Sequence, residues 1–318
     1  DVITVNAQRR EAFVQTAGRV SGRNPYYRDV VKISIDTGCM STLVSSDHDY
    51  FTSAFTDMEG YSFVGSGRQC EQRRGTSPSG NYTLVTRSRA DELAISFLVD
   101  TDGKELMTVE TAELLDVPKG WTLPEPVKAT GADGQTDIYG VIYRPSHFSP
   151  DKTYPVISDL YNTPDFPWAP IGCMGNNIFG GYGFFMASAL AELGFIVVQL
   201  DGRGGSFRDR AFKGAGYGNL ELPIMLEDHV AGLKQLGGRY KEMDTNRVAV
   251  NECQGGPGVL LGLIEYPDLY KVGVTNTPHD SRFMSCSMWA DMFEGKDSTK
   301  RSRLEEKIGR LEGKLLMS

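Results

Sequence analysis

The sequence predicts an α/β protein, a mostly parallel sheet carrying helices, preceded by a stretch of antiparallel β structure. Three observations predict it. Up to residue 122, short β-branched or aromatic runs are separated by turn signals, the texture of antiparallel sheets in a sandwich or propeller. From residue 123 onward, similar runs alternate with helical segments, and strand–helix alternation builds a parallel sheet with helices on both faces. The two textures meet at Leu123-Pro124-Glu125-Pro126, which reads as a stiff linker. A chain of 318 residues has room for about two domains, so the expected division is 1–122 and 123–318.

In the first part, Val30–Ile35 alternates and stops at Asp36-Thr37-Gly38. Tyr82–Thr86 follows the turn Ser77-Pro78-Ser79-Gly80, and Ala94–Val99 leads through Asp100-Thr101-Asp102-Gly103 into Glu105–Val109. The Asp100–Gly103 segment lacks the later carboxylates of a calcium loop and reads as a hairpin turn. In the second part, strands are expected at Ile138–Tyr143, Tyr154–Tyr161, Phe195–Leu200, Arg247–Val250 and Lys271–Thr275. Helices are expected at Phe184–Glu192, at Glu221–Leu236 and over Ser302–Arg310, the last running into a strand at Gly313–Ser318.

Composition narrows the function classes. Lys plus Arg total 33 against 41 Asp plus Glu, for a net charge of −8. That balance argues against nucleic acid, which needs a concentrated positive face. The densest basic run, Lys300-Arg301-Ser302-Arg303, is followed by Glu305 and Glu306 and reads as a solvated helix face. The most apolar stretch, Gly181–Leu200, carries Glu192 and breaks at Gly194, so no membrane span is expected. The start Asp1-Val2-Ile3-Thr4-Val5 carries no signal core, and the chain reads as soluble, with its compartment open. The five cysteines, Cys39, Cys70, Cys173, Cys253 and Cys286, are odd in number and widely spaced. They suggest free thiols rather than a disulfide framework or metal site. The sequon Asn81-Tyr82-Thr83 carries little weight alone. Neither a cofactor motif nor a metal-ligand spacing is present; Gly214-Ala215-Gly216-Tyr217-Gly218 lacks the preceding strand of a phosphate loop.

The chemistry should sit at the C-terminal ends of the parallel strands. The strand Val248-Ala249-Val250 enters Asn251-Glu252-Cys253-Gln254-Gly255-Gly256-Pro257-Gly258, a Gly-rich strand-to-helix turn. This is the place of a nucleophile elbow, G-x-S-x-G, in an α/β-hydrolase-type sheet. Further segments share the order of a known family: Asp159-Leu160-Tyr161-Asn162-Thr163-Pro164, Asp201-Gly202-Arg203-Gly204, Leu226-Glu227-Asp228-His229, Asp244–Val250, Tyr266–Val274, and Met288-Trp289 through Gly295. Together they resemble the hydrolase domain of the prolyl oligopeptidase family of serine peptidases, of the dipeptidyl-peptidase-IV and acylaminoacyl-peptidase type. The resemblance covers about 123–318. It extends to Arg23–Arg28 and Ser77–Gly80, which resemble blade segments of that family's β-propeller.

The resemblance implies a hydrolase domain incomplete at its C-terminus. It also places Gln254 where the family has its nucleophilic Ser, and Glu252 where it has the first Gly. Gln has no nucleophilic oxygen to activate. Cys253 stands one place early and reads as a structural thiol. Tyr161 and Gly255 match the oxyanion positions, and Trp289 matches an aromatic wall of the substrate pocket, without the expected tyrosines near Met284-Ser285-Cys286. Arg203 and His279 are the remaining substrate-binding candidates, while His48, His147 and His229 read as surface or core histidines. The family's triad Asp and His are expected after the strand that 313–318 resembles.

The expected function is therefore a catalytically degenerate member of the family whose scaffold serves as a binding or assembly surface, for a peptide or small acyl ligand. A homo-oligomer or second chain would complete its sheet. An active serine peptidase represented by an incomplete or altered chain is one alternative, and a non-enzymatic interaction module built on the β-rich part is the other.

Overall fold

The computed structural model describes residues 2–52, 75–77, 79–161, 167–174, 180–218, 224–253, 258–276 and 304–317. The chain forms two compact units, residues 1–116 with 170–181, and residues 117–169 with 182–318.

The first unit contains two four-stranded antiparallel sheets in which sequential strands are neighbours. One holds β1 (Val2–Asn6), β2 (Glu11–Ala17), β3 (Arg28–Ser34) and β4 (Met40–Val44). The other holds β5 (Asp49–Phe51), β6 (Tyr82–Arg89), β7 (Glu92–Asp100) and β8 (Glu105–Thr111). Alternation along these strands delivers Ile3, Phe13, Val30, Tyr50, Val85, Phe97 and Val99 to one apolar cluster. The Asp100–Gly103 segment is the β7–β8 hairpin turn. The Asp100 carboxylate accepts the Asp102 and Lys104 N–H groups at 2.9 and 3.0 Å, and Gly103 takes the positive φ of 82° that the turn needs. Two buried ion pairs, Arg23–Asp29 and Arg28–Asp49, lock the β2–β3 connection onto the start of β5.

The second unit is built on a seven-stranded sheet. Its strands are β9 (Glu125–Thr130), β10 (Asp137–Tyr143), β11 (Tyr154–Leu160), β12 (Ile196–Leu200), β13 (Met243–Cys253), β14 (Tyr270–Asn276) and β15 (Lys314–Met317). The order is β15-β14-β13-β11-β12-β10-β9. Pairing is parallel from β12 to β15 and antiparallel where β10 meets β12 and β9. The longer described helices between strands are α1 (Gly180–Glu192), α2 (Arg210–Gly214), α3 (Ile224–Arg239) and α4 (Gly258–Glu265).

Both faces are covered, as parallel sheets require. All five residues of β12 are buried. Leu200 lies against Gly232 of α3, whereas its neighbour Gln199 lies against Gly183 of α1, so α3 and α1 occupy opposite faces. Helix α4 shares the α3 face, with Gly262 set against Tyr270 and Val250. The buried stripe of α3 (Met225, Leu226, His229, Val230, Leu233, Leu236) recurs every three to four residues and closes the core on that side.

Two sequence expectations change. Glu125 and Pro126, read as linker, are the first residues of β9 and pair with Ile142 and Val141. A proline cannot donate to a ladder, but β9 is the sheet edge, where no outer partner needs that donor. The helix expected over Ser302–Arg310 is, among the described residues, one turn at Leu304–Lys307 followed by a 3₁₀ turn at Ile308–Arg310.

Candidate functional site

The C-terminal ends of β11, β12 and β13 present their side chains at matched heights. Register pairs Asp159 with Asn251, and the parallel β11–β12 pairing continues to set Asp159 beside Gln199. All three point to the α1 face, where side-chain amides and a carboxylate form a buried network. Asp159 accepts from Asn251 Nδ2 at 2.6 Å, from Gln199 Nε2 at 2.7 Å and from Trp168 Nε1 at 3.0 Å. Gln199 accepts in turn from the Tyr143 hydroxyl at 3.0 Å. Burial pushes the Asp159 carboxyl above its ordinary range, against the three donors that favour its ionised form.

Trp168 is fixed at several points. Its main-chain N–H donates to Asp201 Oδ1 at 2.7 Å, and the Ala169 N–H reaches the same oxygen at 3.3 Å. Asp201 follows β12 and is fully buried; burial pushes its carboxyl up to about 7. The indole lies against Gly183 of α1, where a Cβ would stand 3.0 Å from two ring carbons, so only glycine lets helix and indole come this close. Tyr161, the residue after β11, stacks on Trp168 with ring centroids 4.9 Å apart and planes inclined by 19°. The sequence-predicted oxyanion tyrosine is thus a half-buried ring on a platform carried by two acids.

At the elbow, Glu252 is 1% exposed and sits on the opposite face of β13, toward α4. Its carboxylate accepts the Val259 N–H in the first turn of α4 at 3.3 Å. A carboxylate at a helix N-terminus satisfies an otherwise orphaned donor and favours the dipole. On the adjoining strand Thr275, the register partner of Glu252, is buried with its hydroxyl oxygen unpartnered among the described residues.

The other candidates divide. Arg203 is committed to Asp228, which takes its main-chain N–H, Nε and Nη2, and to Asp133 at 3.4 Å. His229 is 2% exposed in α3, with its ring at the Leu200 backbone, and burial pushes it down to about 4, so it is neutral at neutral pH. His48 bridges Ser46 and Glu92 at 2.8 and 2.9 Å in the first unit. Gln254, Gly255, Trp289 and His279 lie outside the described residues, as does the side chain of Cys253. Among the described residues, no group of His, Cys, Asp and Glu could hold a metal ion, and no helix is long and apolar enough to cross a membrane.

The sequence profile of the prolyl oligopeptidase family matches residues 182–303, from α1 past the end of β14. Over that stretch the chain is similar to the prolyl oligopeptidase family. Dipeptidyl peptidase 8 of Homo sapiens is 32% identical over 162 residues, covering 50% of this chain and 17% of that protein. Two solved structures align over 100% of this chain and 41% of theirs. A Bacteroides ovatus chain solved under the name dipeptidyl aminopeptidase IV gives a TM-score of 0.77 at 21% identity. Porphyromonas gingivalis dipeptidyl peptidase 4 gives 0.71 at 19%. At these identities the structures speak to the fold, an α/β-hydrolase sheet with preceding antiparallel sheets. The chain spans less than a quarter of the length of this curated prolyl oligopeptidase relative.

Reading the sequence for this family's chemistry singled out Tyr161 but missed Trp168, Gln199 and Asn251. The available signal was an Asp inside each of two recognised motifs, Asp159 before Tyr161 and Asp201 before Gly202.

Proposed function

We propose that this chain is a catalytically degenerate, dipeptidyl-peptidase-like member of the prolyl oligopeptidase family, retaining the hydrolase scaffold as a binding or assembly surface. The observation that carries the reading is Glu252. The resemblance puts a side-chain-free glycine there, and instead a buried carboxylate holds the first turn of α4. With Gln254 at the nucleophile position, the elbow is both disarmed and re-anchored. Tyr161 and Gly255 keep the oxyanion positions, and Trp289 and His279 belong to a surface for a peptide or small acyl ligand, with Arg203 held beside it by Asp228. The two antiparallel sheets of the first unit are read as consecutive propeller blades, with a second copy or another chain as the assembly partner.

The test is reaction with a fluorophosphonate probe. No labelling of the protein is expected, and stoichiometric labelling would overturn the reading. In a chain that also carries the family's triad Asp and His, Gln254→Ser alone should stay unlabelled because Glu252 still stands where the family has its first Gly. A second reading, an active serine peptidase in altered form, is favoured by the intact support around Tyr161. It predicts that Gln254→Ser suffices for labelling.

A further inference from the structure

We infer that Asp201 and Asp159 are positioning residues that clamp Trp168 as the platform for Tyr161, and that Asp201 makes the place of Tyr161 respond to protons. The argument is geometric. The Trp168 indole N–H is held by Asp159 on β11, and its main-chain N–H by Asp201 at the end of β12. The segment bearing Trp168 is therefore tied to two neighbouring strands by two separate carboxylates. Tyr161 stacks on the indole so held. The same Asp159 takes Asn251 Nδ2, so the clamp also touches the strand that leads into the elbow. Losing charge on either acid converts charge-assisted bonds into weaker ones.

Among the described residues, the groups facing Asp201 are few. Arg208 is the cation that acts on it, Tyr139 on β10 accepts its main-chain N–H, and His229 of α3 lies at the Leu200 backbone beside it. Asp159 is the other buried acid on Trp168, and Arg203, two residues along, is matched by Asp228. Burial holds the Asp201 carboxyl at about 7, where small changes in pH change its charge.

The inference rests on the reading of Tyr161 as a ligand-facing residue. Its test does not depend on whether Gln254 disables catalysis, so the two fail separately. The chain has three tryptophans, and ¹⁵N-tryptophan labelling gives a main-chain and an indole N–H signal for each. Trp168→Phe assigns those of Trp168. Both Trp168 signals are expected to move with a common midpoint near the Asp201 value. The near-ultraviolet circular dichroism band removed by Tyr161→Leu should follow the same curve. Asp201→Asn, which keeps an acceptor oxygen without the charge, should hold the signals near their low-pH positions and abolish their pH dependence. Trp168 signals that stay still in the unsubstituted protein, or that move unchanged in Asp201→Asn, would overturn the inference. The first of these results needs only the Trp168→Phe assignment and stands even if Asp201→Asn fails to fold.

Discussion

Replacing Asp201 by Asn is expected to make the stability of the second unit rise more steeply with pH than in the unsubstituted protein. In the fold the Asp201 carboxyl stands at about 7 against an ordinary 3.8. Its contribution is fully present below the unfolded value and is lost as pH rises toward the folded one. At roughly 1.4 kcal/mol per pH unit, that displacement amounts to about 4 kcal/mol. His229 acts in the opposite sense, held at about 4 against an ordinary 6.5 by burial. Its contribution is present above the unfolded value and is lost as pH falls toward the folded one, by about 3 kcal/mol on the same scale. The two windows overlap, so between them the pair nearly cancels in the unsubstituted protein. Asp201→Asn removes a falling slope, so its stability relative to the unsubstituted protein should rise with pH up to about 7. His229→Gln leaves the carboxyl slope, and stability should fall across the interval up to 7. Urea unfolding followed by far-ultraviolet circular dichroism over this range gives both curves. If the two variants run parallel to the unsubstituted protein, the groups do not titrate as their burial dictates and the reasoning is refuted.

Other substitutions test the remaining architecture. Asp49→Ala removes the carboxylate to which the buried Arg28 guanidinium donates through Nε and Nη2, and should cost about 3–5 kcal/mol; loss of the first unit's transition in urea reports it. Glu252→Ala removes the carboxylate from the first turn of α4 and should cost about 1–2 kcal/mol, read as a lower urea midpoint with unchanged slope. Gly183→Ala drives a methyl against the Trp168 ring and should cost about 1–3 kcal/mol. The same substitution should shift the Trp168 indole signal, whereas an alanine at exposed Gly238, where a Cβ meets nothing within 4 Å, should not.

The parts of the fold legible in the sequence were those set by local pattern. The β12 run and the α3 stripe carry their own periodicity, and each is found where it was expected, at Ile196–Leu200 and Ile224–Arg239. β9 was hidden because Pro124 and Pro126 read as a break, and only its place at the sheet edge makes a proline strand acceptable. The site was less legible. An Asp at a strand end looks like a turn residue, and what turns Asp159 into a hub is cross-strand register with Asn251 and Gln199, a long-range fact with no local signature. Trp168 likewise gains its meaning only from folding back over Gly183, fifteen positions later in the chain. Tyr161 was found through resemblance, but its support came from the fold.

Pro126 has a further consequence. An outermost strand normally offers a row of open donors and acceptors on which a foreign strand can template itself. At β9 that row carries a tertiary amide opposite Val141, so an approaching strand meets a gap in the donor sequence at its second residue. This margin of the sheet is thereby guarded against edge-to-edge aggregation by the very residue that disguises it as a linker.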